Sequence, residues 1–331
     1  MTARTAFVSG AAGFIGRRVV AALSRRGFRV KAGVRRLEDV DGLAGLQGVE
    51  PVRAEILDRD SLMEVLKGVD ILFHFAALVD SHRPREVLQR VNVEGTRNVW
   101  TCAAASGVRG ALYCSSAAVY GLLAGVHQPV SEEIIPRAVE PYGNSKLLGE
   151  QAALGVALGS GLPTVVIRPV AVFGPGQRTP FGEQLRAALF SHLLLAEGFK
   201  NRKFNFVHVD DVAEAAVHLM RVVPAGDRIY NIAVDDPIRF EDAFQAYLAV
   251  LGRAGRRYAR ARFLARVSEK LHARPSVSRW VRRVGGERLA FGLWQPGFDM
   301  TYAAKRILGT SFRFAWQKFE DVLESCAEQE A

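Results

Sequence analysis

The chain has 331 residues, 49% of them hydrophobic, with 44 Lys and Arg against 34 Asp and Glu for a formal net charge of +10. That length buries a sizeable core in one large domain or two smaller ones, while no apolar stretch reaches the roughly 20 residues a spanning helix needs, nor does the N-terminus read as a signal peptide. Three scattered cysteines, Cys102, Cys114 and Cys326, exclude a disulfide framework or a zinc site, so no metal and a reducing cytoplasm are expected.

In chain order, RTAFVSGAAGFIGRRVVAAL reads as a short apolar strand, a turn with Gly10, Gly13 and Gly16, and a helix beginning near Phe14. Glycines there let backbone N–H groups approach a pyrophosphate, and the positive end of the helix points at the same place. A dinucleotide site is the expectation. FRVKAGV, PVRAEI, DILFHFA, GALYCSS and TVVIRPV follow as apolar runs separated by helix-length stretches, the rhythm of a doubly wound parallel sheet in an α/β Rossmann fold. Between about Arg85 and Ser106, Val87, Val91, Val99 and Cys102 recur at helical spacing and are expected in the core.

The second strand ends AGVRR, with Val34 followed by Arg35 and Arg36 and no acid to hold the adenosine ribose. Arginine pairs with a 2′-phosphate through charge-assisted bonds, so NADP(H) is favoured and NAD(H) stays possible; solvated loop charges are the alternative. Tyr142 and Lys146, four residues apart in EPYGNSKLLGEQ, share one helical face. A cation near the phenol is expected to favour phenolate and bring proton exchange toward neutral pH. HVDDVAEAAVHLM reads as a strand end and a capped helix, with Asp210 near its start, in preference to a metal or acid-base role for His208, Asp210 and Asp211.

These motifs together resemble the extended short-chain dehydrogenase/reductase family, from the glycine turn to the last helices. GAAGFIG looks like its nucleotide turn, HFAA at His74 to Ala77 like the end of its fourth strand, and Asn92 in NVEGT like its helical asparagine. CSSAAVYG places Ser116 where the family carries its catalytic serine, and YGNSK supplies Tyr142 and Lys146. The resemblance implies a catalytic set of Ser116, Tyr142 and Lys146. Asn92 would assist a proton path through water, or else act as a buried, hydrogen-bonded or helix-kinking asparagine. It implies cofactor contacts from Gly10, Ala12, Gly13, Phe14, Ile15, Gly16, Arg35, Arg36, Leu57, Phe75, Ala76, Ala77, Ser115, Tyr142, Lys146, Pro169, Val170 and Val172. Asp58 joins them beside the adenine, or caps the helix that follows it. Substrate contacts are expected from Val79, His82, Ala117, Ala118, Phe173 and Phe181, although solvated loop charge accounts for His82 and core packing for the two phenylalanines. A nucleotide-binding domain of residues 1–172, rejoined by 206–235, and a smaller, largely helical substrate subdomain of 173–205 and 236–331 complete the expectation.

Substrate class is read from absences within that resemblance. Ala117 and Ala118 stand where the family's 4,6-dehydratases carry an acidic pair, and Ala171 where its nucleotide-sugar epimerases place an asparagine. RPVAVFGPG, NFVHVDDVAEA and FDMTYAAKRILG look more like the 3β-hydroxysteroid dehydrogenase and dihydroflavonol reductase branches, which act on bulky apolar alcohols and ketones. The implied reaction is NADP(H)-dependent interconversion of a ketone and a secondary alcohol. A nucleotide-sugar epimerase with tightly held NAD and a non-catalytic dinucleotide sensor are the rivals.

Charge is localised: between Arg253 and Arg288 stand twelve basic residues and two acids, which equals the whole chain's net +10. Within that stretch Arg262, Arg266 and Lys270 form a basic row opposite Ala261, Leu264, Val267 and Leu271. A solvated face, a peripheral membrane contact or an acidic partner would each use it, whereas no nucleic-acid motif accompanies it. A small-molecule substrate and a homodimer are the other expected partners.

Overall fold

The apolar runs form strands because they are buried on both faces. A computed structural model describes residues 4–40, 42–43, 45–79, 83–121, 127–176, 202–222, 229–252 and 299–327. Its first six strands are β1 (Thr5–Ser9), β2 (Arg29–Val34), β3 (Val49–Arg53), β4 (Ile71–His74), β5 (Gly110–Cys114) and β6 (Thr164–Pro169). Three short strands follow, β7 (Ala171–Phe173), β8 (Lys203–Phe204) and β9 (Phe206–His208), then β10 (Ile229–Ile232) and β11 (Ile238–Arg239). The main sheet has seven strands in the order β10-β6-β5-β4-β1-β2-β3, every neighbour parallel. β7 pairs with β9 and β8 with β11 in two small ribbons.

Alternate residues of each strand enter separate cores. Ala6, Val8, Leu112 and Ile167 join one with Val19, Leu23 and Val212, while Phe7, Leu72, Tyr113 and Val166 join the other with Leu62 and Trp100. The first core lies under α1 (Phe14–Arg25) and α6 (Val209–Val222), the second under α2 (Arg59–Val65), α4 (Gly95–Ala105) and α5 (Pro141–Ser160). Helices on both faces explain why these strands read as continuous apolar runs instead of alternating ones.

One expected helix is interrupted. Between α3 (Arg85–Gln89) and α4 the chain makes a π turn over Arg90–Glu94. Val99 and Cys102 are buried as expected, but Val87 is 40% exposed and Leu88 takes the inward position. The inward row continues through Asn92 and Thr96, both 1% exposed, and a polar row of that kind is invisible to a hydrophobic pattern.

The strand end and capped helix expected around Asp210 are found, with Asp210 in the first turn of α6. The capping acceptor there is His208, whose Nδ1 accepts from the Asp210 amide at 3.2 Å. Asp210 instead faces Arg18 at 3.5 Å, and the buried Asp211 carboxylate accepts the amides of Ala315 and Trp316 at 2.9 and 3.0 Å. The segment after residue 299 is thereby tied to the sheet. Its remaining helices are α8 (Lys305–Gly309) and α9 (Phe319–Ala327), which follow α7 (Phe240–Gly252) in chain order.

Beneath the carboxyl ends of β5 and β6 lies a buried ion pair. Arg168 donates to Glu150 through Nε at 2.9 Å and Nη2 at 2.7 Å, and through Nη1 to the Tyr120 hydroxyl at 2.9 Å. Tyr120 donates onward to Asn231 Oδ1 at 2.7 Å, joining β6 to β10. Removing one partner strands the other charge, so Arg168→Met is expected to destabilise the fold by about 3–5 kcal/mol in urea denaturation, and Arg168→Met with Glu150→Leu to recover part of that loss. A double variant no more stable than the single one would contradict the pairing.

Candidate active site

The sheet's strand order reverses at β1 and β4, the place where doubly wound folds receive a ligand. After β1 the chain turns at Gly10 with φ +68°, and a Cβ there would lie 2.7 Å from the Ala76 amide nitrogen. Only glycine fits. A Cβ on Gly16 would sit 2.1 Å from the Gly10 carbonyl, so the turn and the first helical residues pack backbone on backbone. Gly13 caps α1 without any side-chain hydrogen bond and the first turn holds no acid, which leaves the leading N–H groups of the helix to an anion. Ala12, Phe14 and Ile15 stand on this turn; Phe75, Ala76 and Ala77 leave β4 beside it.

The two arginines after β2 differ. Arg36 is tied to Asp39 at 3.2 Å, while the exposed Arg35 has no ion pair or hydrogen bond among the described residues. Asp58 caps α2, accepting from the amides of Asp60 and Ser61 at 3.0 and 3.1 Å through one oxygen, which leaves the other for a ligand. Leu57 is half-buried beside it. Pro169 and Val170 end β6 in the core; Val172 and Phe173 lie on β7, where the Phe173 ring packs edge-on against Phe319 at 5.4 Å. Val79 is 74% exposed. His82, Phe181 and the basic stretch 253–288 lie outside the described residues.

Ser116, Tyr142 and Lys146 converge at the ends of β5 and the start of α5. Glu140 caps that helix, accepting from the amides of Tyr142 and Gly143, with Pro141 in its first turn. Gly143 is required because a Cβ there would lie 2.5 Å from the Ala118 carbonyl, in the turn that carries Ser116. The Ser116 hydroxyl accepts from the Ala118 amide at 3.2 Å and stands near enough to the Tyr142 phenol to favour its ionised form. One residue earlier, the Ser115 hydroxyl is buried with no hydrogen-bond partner among the described residues, a polar group that fits an amide or hydroxyl of a bound dinucleotide.

The electrostatics reverse one expectation. Burial pushes the Tyr142 phenol well above its ordinary value, Cys114 and Glu140 add to the rise, and only the nearby Ser116 hydroxyl opposes it. Lys146 is not among the causes. Its ammonium is itself buried, 4.3 Å over the face of the Tyr113 ring, and burial lowers it to about 8 against the pull of Cys114 and Glu150. Spacing along a helix could not reveal this, because desolvation depends on everything packed around the pair.

Asn92 is placed as a brace. Its side chain accepts from the Leu78 amide at 2.8 Å and donates to the Leu78 carbonyl at 3.0 Å and to Ser145 Oγ at 2.9 Å. Both amide protons are used, which accords with the buried, hydrogen-bonded reading of this residue. Tyr113, Thr96, Ser145 and Glu150 escaped the sequence reading because each serves the site from below; Glu150, four residues beyond Lys146, was the legible signal.

A family model described as the NAD dependent epimerase/dehydratase family matches residues 6–233. The chain belongs to that family. Human sterol-4-alpha-carboxylate 3-dehydrogenase, decarboxylating, is 30% identical over 246 residues, 72% of this chain and 64% of that protein, so the chain spans just under two thirds of its length. The 3 beta-hydroxysteroid dehydrogenase/Delta 5-->4-isomerase of Mycobacterium tuberculosis is 28% identical over 305 residues, 87% of this chain and 77% of that one. Among solved structures, a UDP-N-acetylglucosamine 4-epimerase from Methanobrevibacter ruminantium superposes with a TM-score of 0.75 at 19% identity, covering 100% of this chain and 99% of the other, and this shows the shared fold.

The buried lysine has a measurable cost. Unfolded, its amine keeps a proton up to about 10.5; folded, only up to about 8, so stability falls as pH drops from about 10.5 to about 8 and the full cost is present, without further change, below that. Lys146→Met is expected to stabilise the protein at pH 7 by about 1–3 kcal/mol in urea denaturation, with the gain shrinking as the pH approaches about 10. A variant less stable than wild type at pH 7 would contradict the desolvated lysine.

Proposed function

We propose that this protein is an NADP(H)-dependent oxidoreductase that interconverts a ketone and a secondary alcohol on a bulky, apolar substrate. The observation that carries the reading is the convergence of Ser116, Tyr142 and Lys146 beside the glycine turn. When bound, the dinucleotide supplies or accepts the hydride. Oxygen charge that develops on a reduced carbonyl is then met by the Ser116 hydroxyl and the Tyr142 phenol, preorganised by the Glu140 cap and the close Gly143–Ala118 contact. A phenol held protonated by burial is stocked to donate, and the nascent alkoxide is a stronger base than it. Lys146, protonated below about pH 8, places its charge beneath the same site.

Arg35 supports NADP(H) over NAD(H): its guanidinium is free of described partners at the end of β2, where no carboxylate competes for the ribose. The sterol and steroid dehydrogenase relatives support a bulky apolar substrate. Residues 1–172 with 206–235 would hold the dinucleotide, and 173–205 with 236–331 the substrate. A homodimer is part of the proposal, and the charge of 253–288 favours a peripheral membrane contact that brings the protein to lipophilic substrate.

Titration with NADPH and NADH, followed by a screen of bulky ketones for NADPH oxidation, tests the reading. Turnover with no net change in nicotinamide absorbance would place the chain with the epimerases instead. Tyr142→Phe is expected to lower kcat by about 100- to 10,000-fold while NADPH still binds. Arg35→Ala should weaken NADPH binding by about 10- to 100-fold and leave NADH nearly unchanged, as expected for a charge-assisted bond to the 2′-phosphate. Equal losses for both cofactors would remove Arg35 from that role.

A further inference from the structure

His74 ends β4 with 1% of its surface exposed, and both ring nitrogens are hydrogen-bonded. Its neighbours fix which way each proton points. Thr96 Oγ1 lies 2.7 Å from the Asn92 carbonyl, an acceptor only, so the single Thr96 proton goes there. Thr96 Oγ1 therefore accepts from His74 Nε2 at 3.0 Å, and Nε2 carries the ring proton. Nδ1 is then bare and accepts from Ser9 Oγ at 2.6 Å, while Ser9 Oγ accepts from the Ala76 amide at 3.3 Å.

The same logic extends the chain into the active site. Ser145 Oγ donates to the Tyr142 carbonyl at 2.7 Å, so it must accept from Asn92 Nδ2 at 2.9 Å. Hydrogen bonds thus run from the residue before Gly10, through His74, Thr96, Asn92 and Ser145, to the backbone of Tyr142. The ring is packed between the edge of Trp100 at 5.6 Å and the face of Tyr113 at 5.8 Å, and Tyr113 carries the Lys146 ammonium on its ring. Burial, aided by the Lys146 charge, lowers His74 to about 3, so the ring stays neutral. Among the described residues, Lys146 and Tyr113 are the titratable groups against it.

We propose that His74 is a positioning residue for hydride transfer: by accepting from Ser9 and donating to Thr96, it fixes the dinucleotide turn relative to the Asn92–Ser145 contact that supports Tyr142. The kinetic consequence rests on the oxidoreductase reading; the hydrogen-bond directions do not.

Thr96→Val keeps the side chain's shape and removes the hydroxyl that joins His74 to Asn92. In Thr96→Val, kcat for ketone reduction is expected to fall about 10- to 100-fold with NADPH affinity within about threefold of wild type, and Thr96→Ser to restore kcat, because a displaced donor acts on the transition state more than on cofactor binding. A lowered urea midpoint with unchanged kcat would mean structural support alone and would overturn the proposal. Ser9→Ala, which cuts the other end of the chain, should reproduce the loss of kcat if Thr96→Val fails to fold, and an unchanged kcat there would equally overturn it. Independently of turnover, 15N NMR of labelled histidine should show His74 protonated at Nε2 only, from about pH 5 to about pH 9. The opposite tautomer overturns the chain; the expected tautomer in a protein that reduces no ketone overturns the oxidoreductase reading instead.

Discussion

Everything at this site depends on burying one ammonium. Lys146 is 3% exposed and sits on the Tyr113 ring, where attraction to an aromatic face replaces part of its lost hydration. Glu150, one turn further along α5, adds an attraction that keeps the amine from losing its proton at neutral pH. Glu150 could not be buried alone, and the bidentate Arg168 on β6 makes its burial possible. Arg168 in turn donates through Nη1 to Tyr120, which donates onward to Asn231. The buried polar network is therefore a consequence of the lysine, built outward until every charge has a partner.

Sheet geometry decides where that network can stand. Tyr113 and His74 are neighbours in the parallel register of β4 and β5, and Ser9 pairs with His74 across β1 and β4. One row across three strands thus carries Ser9, His74 and Tyr113, directly below the turn at Gly10 and the start of the Ser115–Ser116 loop. Side chains on one face of adjacent parallel strands stack at fixed spacing, so a hydrogen bond, a ring stack and a cation seat come in fixed relation. The close Gly10–Ala76 contact holds β1 and β4 together at that row.

What the sequence made legible was local. The glycine turn, six of the sheet's strands and the serine, tyrosine and lysine set are each written in a few adjacent residues, and Gly10, Ser116 and Tyr142 stand where those motifs placed them. The raised Tyr142 phenol was not legible, because spacing reports a neighbour four residues away and says nothing of how much water has been excluded. Nor was the inward row Leu88, Asn92, Thr96, whose polar members break the apolar period while serving the interior. Arg35 and Arg36 look alike in sequence, and only the position of Asp39 separates them.

The two displaced ionisations fit a single chemistry better than they fit two. A tyrosine held protonated and a lysine able to titrate near about 8 lie on one helix, both shifted chiefly by the same loss of water. In the proposed reaction, a site that stabilised phenolate in the free protein would leave Tyr142 already spent as a proton donor. Under the proposed carbonyl reduction, raising it would store the proton until a more basic oxygen, the nascent alkoxide, arrives. In that proposed reaction the same burial would strengthen the field of the Lys146 charge as negative charge appears, since less water screens it. Exclusion of water is thus the condition for both, and a neutral imidazole at His74, stacked on Tyr113, adds no second cation near Lys146.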